Sequence, residues 1–321
     1  MDYVRIGGSD IRISRFVLGG HEYLPDGRSR GFNEDFARAT KSGYLFPGFG
    51  GDQRKSVLRA AYELGINTFD VTLDSEKEAL GRNLAELPPP FEVYVQTRPE
   101  GMLYGYDPGN RKMIDLALLR AEVIRILGLL RRDHIDFLNL GILKDALDGD
   151  PQFLARLRAN VEALKREGLI RVACADTFSG EPTYLAQVDS GAFDVLNVNF
   201  NLADDGARHA VLPAARRAGV AVVAREVYVK GRWFDLGHAA GIDDDEVLAR
   251  AAMKWVLSQR DVDAVIIGAG TPAQLLTAAQ ALSDPALSPI EDALRARVLA
   301  SEEFRAFAAI KRAEFGRPGT D

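Results

Sequence analysis

Cysteine is almost absent: one residue, Cys174, in 321, which rules out an internal disulfide and a cysteine-built metal site. Histidine is scarce as well, with four copies. No ligand spacing joins His21 to Glu22, Asp70, Asp176 or Glu226, so no metal is expected. The formal net charge is −6 and basic runs are missing, which argues against nucleic acid or an anionic membrane as a partner. No apolar run approaches the length of a membrane span, and Met1-Asp2-Tyr3-Val4-Arg5-Ile6 holds no signal-like apolar core. These absences lead to the expectation of a cytoplasmic protein acting on a small molecule, its oligomeric state left open.

What the chain does have is an ordinary globular composition, 47% apolar and 27% charged, enough for a sizeable core. The turn-rich Gly7-Gly8-Ser9-Asp10 separates Val4-Arg5-Ile6 from Ile11-Arg12-Ile13, the pattern of a hairpin. Eight apolar strand signals follow, at 15–20, 66–70, 91–97, 135–140, 170–175, 194–199, 220–224 and 264–268, each leading into a helical pattern. The strands are apolar throughout rather than alternating, as in a parallel sheet covered on both faces. Eight such pairs predict an α/β fold, one closed (β/α)8 TIM barrel as a single domain over 1–321. The hairpin precedes it, extra helices end it, and a polar, glycine-rich stretch at 21–52 reads as a loop insertion.

The informative stretch runs from Gly65 to Gly81. Ile66-Asn67-Thr68-Phe69-Asp70 reads as a buried strand that delivers Asp70 to its C-terminal end, and Ser75 and Glu78 have the spacing of a capping box on the next helix. Glycine, Ile-Asn, an aromatic and Asp, with Ala79-Leu80-Gly81 soon after, resembles the second βα unit of the aldo-keto reductases. The likeness extends along the chain. Ile6-Gly7 to Leu18-Gly19 resembles that family's hairpin and first strand, and Asp133-His134-Ile135-Asp136-Phe137-Leu138 its Asp-Tyr-Ile-Asp-Leu-Tyr. Leu164 to Arg171 is similar to its Glu-Gly-Lys-Ile-Arg stretch, and Val265 to Leu275 to its Val-Ile-Pro-Gly run.

The resemblance implies a barrel and a tetrad of Asp, Tyr, Lys and His, and here only Asp70 matches. Ser75 stands at the tyrosine position, Arg98 at the lysine and Gly141 at the histidine. A serine hydroxyl is too weak an acid to replace a tuned phenol, and arginine keeps its proton. On the side of the NADP or NAD cofactor that the family implies, Asp176-Thr177 replaces Ser-Asn and Asn197 a glutamine. Arg225 replaces the stacking aromatic, Gly270 a basic residue, and Thr277-Ala278 the Glu-Asn pair on adenine. Gly268, Gly270 and Thr271 at a helix start remain as a generic anion cradle.

Active sites of such barrels lie at the C-terminal strand ends. There the sequence gathers His21, Tyr23, Asp70, Arg98 and Glu226 as candidate catalytic residues, and Glu22, Asp176, Asn197 and Arg225 as candidate substrate-binding residues. Each has a plain structural alternative: Asp70 in an ion pair with Arg98, Arg225 with Asp176 or Glu226, Ser75 as a cap. Three readings follow: non-redox acid–base chemistry (lyase, isomerase or dehydratase) on a small anionic or sugar-like carbonyl or hydroxy compound; a nicotinamide-dependent reductase with Tyr23 or water as proton donor; or a silent, ligand- or partner-binding relative.

Overall fold

The computed structural model describes residues 1–103 and 107–316. An antiparallel hairpin, β1 (Tyr3–Arg5) and β2 (Arg12–Ser14), precedes eight parallel strands. These are β3 (Phe16–Gly19), β4 (Thr68–Val71), β5 (Tyr94–Thr97), β6 (Ile135–Gly141), β7 (Ile170–Asp176), β8 (Val195–Asn199), β9 (Ala221–Arg225) and β10 (Ala264–Gly268). Each pairs with the next, and β10 returns to β3 to close the barrel. The helices are α1 (Phe36–Ala39), α2 (Asp52–Glu63), α3 (Asp74–Glu86), α4 (Leu116–Leu130), α5 (Lys144–Gly149), α6 (Phe153–Arg166), α7 (Glu181–Asp189), α8 (Val211–Ala218), α9 (Arg232–Ala239), α10 (Asp245–Leu257), α11 (Pro272–Ser283), α12 (Pro289–Leu299) and α13 (Glu302–Phe315).

The apolar strands divide their side chains between two buried layers. Val17, Tyr94, Phe137, Val172, Val195 and Val223 pack in one cluster with Ile6, Ile11 and Ile13, so the hairpin plugs the N-terminal end of the barrel. Their chain neighbours Phe16, Leu18, Val95, Leu138 and Ala173 join the larger layer between strands and helices. Both faces of each strand are therefore dry, which is why the sequence shows runs and not alternation. At the same end, Asp136 is fully buried and accepts the Val95 N–H at 2.9 Å. Arg132 at 2.9 Å, His134 at 3.2 Å and Arg171 at 3.3 Å also contact its carboxylate. The hairpin plug and the contacts of Asp136 thus close the base of the barrel. Among the described residues, no helix is long and apolar enough to cross a membrane.

One helix start differs from the sequence reading. Helix α3 begins at Asp74, so Ser75 lies inside its first turn. Glu76, and not Glu78, reaches back to the N–H groups of Thr72 (2.8 Å) and Leu73 (3.1 Å). Further along, the short α5 and a turn at Asp150 lead into α6, whose cap position is Gln152. At Thr271 the expectation holds, its hydroxyl accepting the Gln274 N–H at 3.3 Å ahead of Pro272.

Candidate active site

The chain leaves β3 through Gly20, and only glycine permits its path. A Cβ there would stand 2.6 Å from the Asp70 carbonyl oxygen and 2.7 Å from Val71. That close crossing brings His21 beside Asp70. His21 Nδ1 lies 2.7 Å from Glu76 Oε1; 37% of the imidazole side chain is exposed, against 1% of the carboxylate. Burial alone would raise the Glu76 pKa. The charge and hydrogen bond of His21 and the two backbone N–H groups outweigh it and hold Glu76 at about 2. Burial likewise acts to lower the pKa of His21, but the Glu76 charge and hydrogen bond raise it above its ordinary value. Arg98 opposes that rise and Asp70 adds to it. The result is an imidazole that takes up a proton more readily than a free one, with an ionised carboxylate on Nδ1. No protein group among the described residues is bonded to Nε2.

Asp70 is placed differently from the ion-pair alternative. Its Oδ1 accepts the Gln96 side-chain N–H at 2.9 Å, and Gln96 Oε1 accepts from Asn197 at 3.3 Å, a chain of polar groups from β4 through β5 to β8. Arg98 Nε instead pairs with the buried Glu100 at 3.2 Å. Burial pushes the Asp70 pKa up, against the Gln96 hydrogen bond and the charges of Arg98 and His21. A carboxyl that keeps its proton longer thus stands beside an imidazole that gains one more easily.

A second cluster forms on β6, β7 and β9. Asp176, fully buried, pairs with Arg225 and accepts from Asn139 at 3.3 Å. The Arg225 guanidinium lies 4.5 Å from the ring centre of Phe178, whose side is half exposed. Pairing of Arg225 with Asp176 is the structural alternative foreseen for both residues. Glu226 follows in a left-handed conformation (φ 58°) with its carboxylate 3.4 Å from Lys230, outside both clusters.

Two further candidates are drawn away from His21 and Asp70. Glu22 faces the 21–52 insertion, accepting the Gly50 N–H at 2.5 Å with Arg30 at 3.6 Å. Tyr23 lies against the turn after β10, where a Cβ on Gly268 would overlap its hydroxyl. Burial raises the Tyr23 pKa, the wrong direction for a tyrosine acid. The turn itself is closed by the chain's own groups: the Gly270 N–H donates to Gln274 Oε1 at 2.9 Å and its carbonyl accepts from Gln53 at 2.9 Å. With Tyr23 over Gly268 and the Gly270 N–H engaged, the residues of this turn, as arranged, do not fit the phosphate of a dinucleotide. Ser75 is buried and accepts the Phe46 N–H at 2.8 Å, and neighbouring Asp74 accepts the Gly43 N–H at 2.6 Å, so this turn of α3 holds the insertion. Gly141 ends β6 opposite Asp176. A cavity of about 400 Å³ lies at the hairpin end, around Asp10, His134 and Arg171, away from these groups. Among the described residues no three His, Cys, Asp or Glu side chains are grouped to hold a metal.

No family model and no curated protein matches the sequence. Solved structures do. A glycerol dehydrogenase from Gluconobacter oxydans matches over 93% of this chain and 95% of its own, with 22% identity and a TM-score of 0.66. A protein from Pseudomonas aeruginosa whose name assigns it to the aldo-keto reductases matches over 87% and 95%, with 21% identity and a TM-score of 0.59. The chain has the aldo-keto reductase fold. Two groups that sequence reasoning did not single out, Glu76 and Gln96, make the closest contacts to His21 and Asp70. Glu76 had one signal, an acid in the first turn after the Asp70 strand, and Gln96 had its place two residues after Tyr94 on the inward face of β5.

Proposed function

We propose that this chain is an enzyme of the aldo-keto reductase superfamily that performs acid–base chemistry on a small anionic carbonyl or hydroxy compound, with His21 exchanging the proton. The carrying observation is the His21–Glu76 pair at 2.7 Å beside Asp70. Glu76 fixes the ring through Nδ1, which leaves Nε2 to give or take a proton, the arrangement that general acid–base catalysis requires. Asp70, with its raised pKa, is the second proton carrier of the site. Arg98 supplies a cationic partner for a carboxylate or a developing enolate oxygen, and Arg225 a second cation further round the barrel. The chemistry this set suits is proton removal and return at a carbon next to a carbonyl, which underlies isomerisation and the elimination of water.

The test needs no knowledge of the full reaction. Small 2-oxo acids, hydroxy acids and sugar acids are incubated with the protein in D2O, and loss of the α-proton signal is followed by NMR. Exchange of one member, abolished by His21→Gln and reduced by Asp70→Asn, supports the proposal; no exchange in any member overturns it.

A second reading, reduction with NADP or NAD, draws on the barrel shared with the glycerol dehydrogenase. It requires Tyr23 to leave Gly268. Fluorescence titration with NADPH and NADH separates the two: micromolar binding favours the reductase, and no binding at millimolar cofactor removes it.

A further inference from the structure

A cavity of about 500 Å³ lies on the flank of the barrel, where α12 and α13 pack against α10 and the loop after β8. In a chain of net charge −6, its lining carries four arginines, Arg208, Arg295, Arg305 and Arg312, and a single carboxylate, Asp205. That carboxylate is shared: Arg208 reaches it at 3.2 Å and Arg312 at 3.5 Å. Arg295 pairs outside the lining, with Asp292 at 2.7 Å. Arg305 has only a neutral partner among the described residues, the Ser301 carbonyl at 3.4 Å. Positive charge thus exceeds negative within the cavity wall, and its carriers stand on three separate elements.

The remaining feature of the wall is flat. Trp255 lines the cavity and is stacked on buried Phe200, ring centres 5.3 Å apart at 22°, which fixes the indole plane. Its N–H has no acceptor among the described residues. Guanidinium forks match the oxygens of a phosphate group, and a fixed indole offers a face or a donor to a planar apolar body. We propose that this cavity is a binding site for a phosphorylated aromatic compound, separate from the His21–Asp70 site on β3, β4 and β5.

The probe is phenyl phosphate, titrated into the full-length protein while tryptophan emission is recorded. The chain has two tryptophans and Trp233 is fully buried, so Trp255 is the reporter. The expected result is a saturable change that weakens with salt, and an affinity about tenfold lower in Arg305→Ala and in Arg295→Ala, the loss of one charge-assisted contact. Trp255→Phe removes the optical signal, while calorimetry still detects binding. Three results would overturn the proposal: no saturable change up to millimolar probe, equal affinity in the arginine variants, or equal affinity for phenol or for inorganic phosphate. Neither arginine belongs to the His21 site, so failure here leaves the acid–base proposal standing.

Discussion

At the scale of single residues, the decisive pair is one imidazole and one carboxylate, and its consequences depend on sign. Glu76 has a folded pKa of about 2, below its ordinary 4.5. Its ionisation therefore favours the folded state above pH 4.5, and that contribution is lost as pH falls towards 2. His21 is raised above its ordinary 6.5, so its protonation favours the folded state below 6.5, and that contribution is lost as pH rises through the raised value. The two overlap fully between 4.5 and 6.5. We expect the urea midpoint of the native chain to be highest in that window relative to Glu76→Gln, and the difference to shrink on both sides. A constant difference across pH would mean that the pair is not coupled. His21 and Asp70 were legible in the sequence because each directly follows or ends a strand. Glu76 was not: several acids stand near the start of α3, and which one turns inward depends on where the helix begins, a boundary that residue patterns leave open by a residue or two.

At the scale of elements, the first turn of α3 has a double use. Glu76 serves the site, while Asp74 and Ser75 hold the 21–52 insertion through the N–H groups of Gly43 and Phe46. Ser75→Ala leaves the Phe46 N–H without its acceptor, and the expected cost is about 1 kcal/mol. It concentrates locally, as faster hydrogen exchange and faster proteolysis across 40–50, with His21 unchanged. Uniformly faster exchange over the whole chain would show instead that Ser75 supports the barrel and not the insertion. The sequence marked this segment by length and glycine content, but not its docking. The anchors are backbone N–H groups, which carry no sequence signature, and the serine that receives one looked like a helix cap.

At the scale of the whole molecule, the barrel was readable almost strand by strand, because parallel strands buried on both faces write themselves as apolar runs. Short elements such as α5 and α9 were not, having too few turns to show a period. The closed end depends on Asp136, whose carboxylate joins β5, β6 and β7 through Val95, Arg132 and Arg171. Asp136→Ala removes the shared partner of several buried or half-buried groups, and we expect a loss of about 3–5 kcal/mol in urea unfolding. A loss below about 1 kcal/mol would place the weight of closure on the apolar hairpin plug instead.

The measurement closest to the central claim is the titration of His21 by NMR in the native chain and in Glu76→Gln, with assignment made secure by His21→Gln. The chain has only four histidines, so the signal is separable. The expected result is a native His21 pKa above 6.5 with the proton held on Nδ1 in the neutral form. In Glu76→Gln it falls below 6.5, because burial and Arg98 then act with Glu76's charge removed. A native value at or below 6.5, or one that Glu76→Gln does not move, would contradict the pairing on which the proposed chemistry rests.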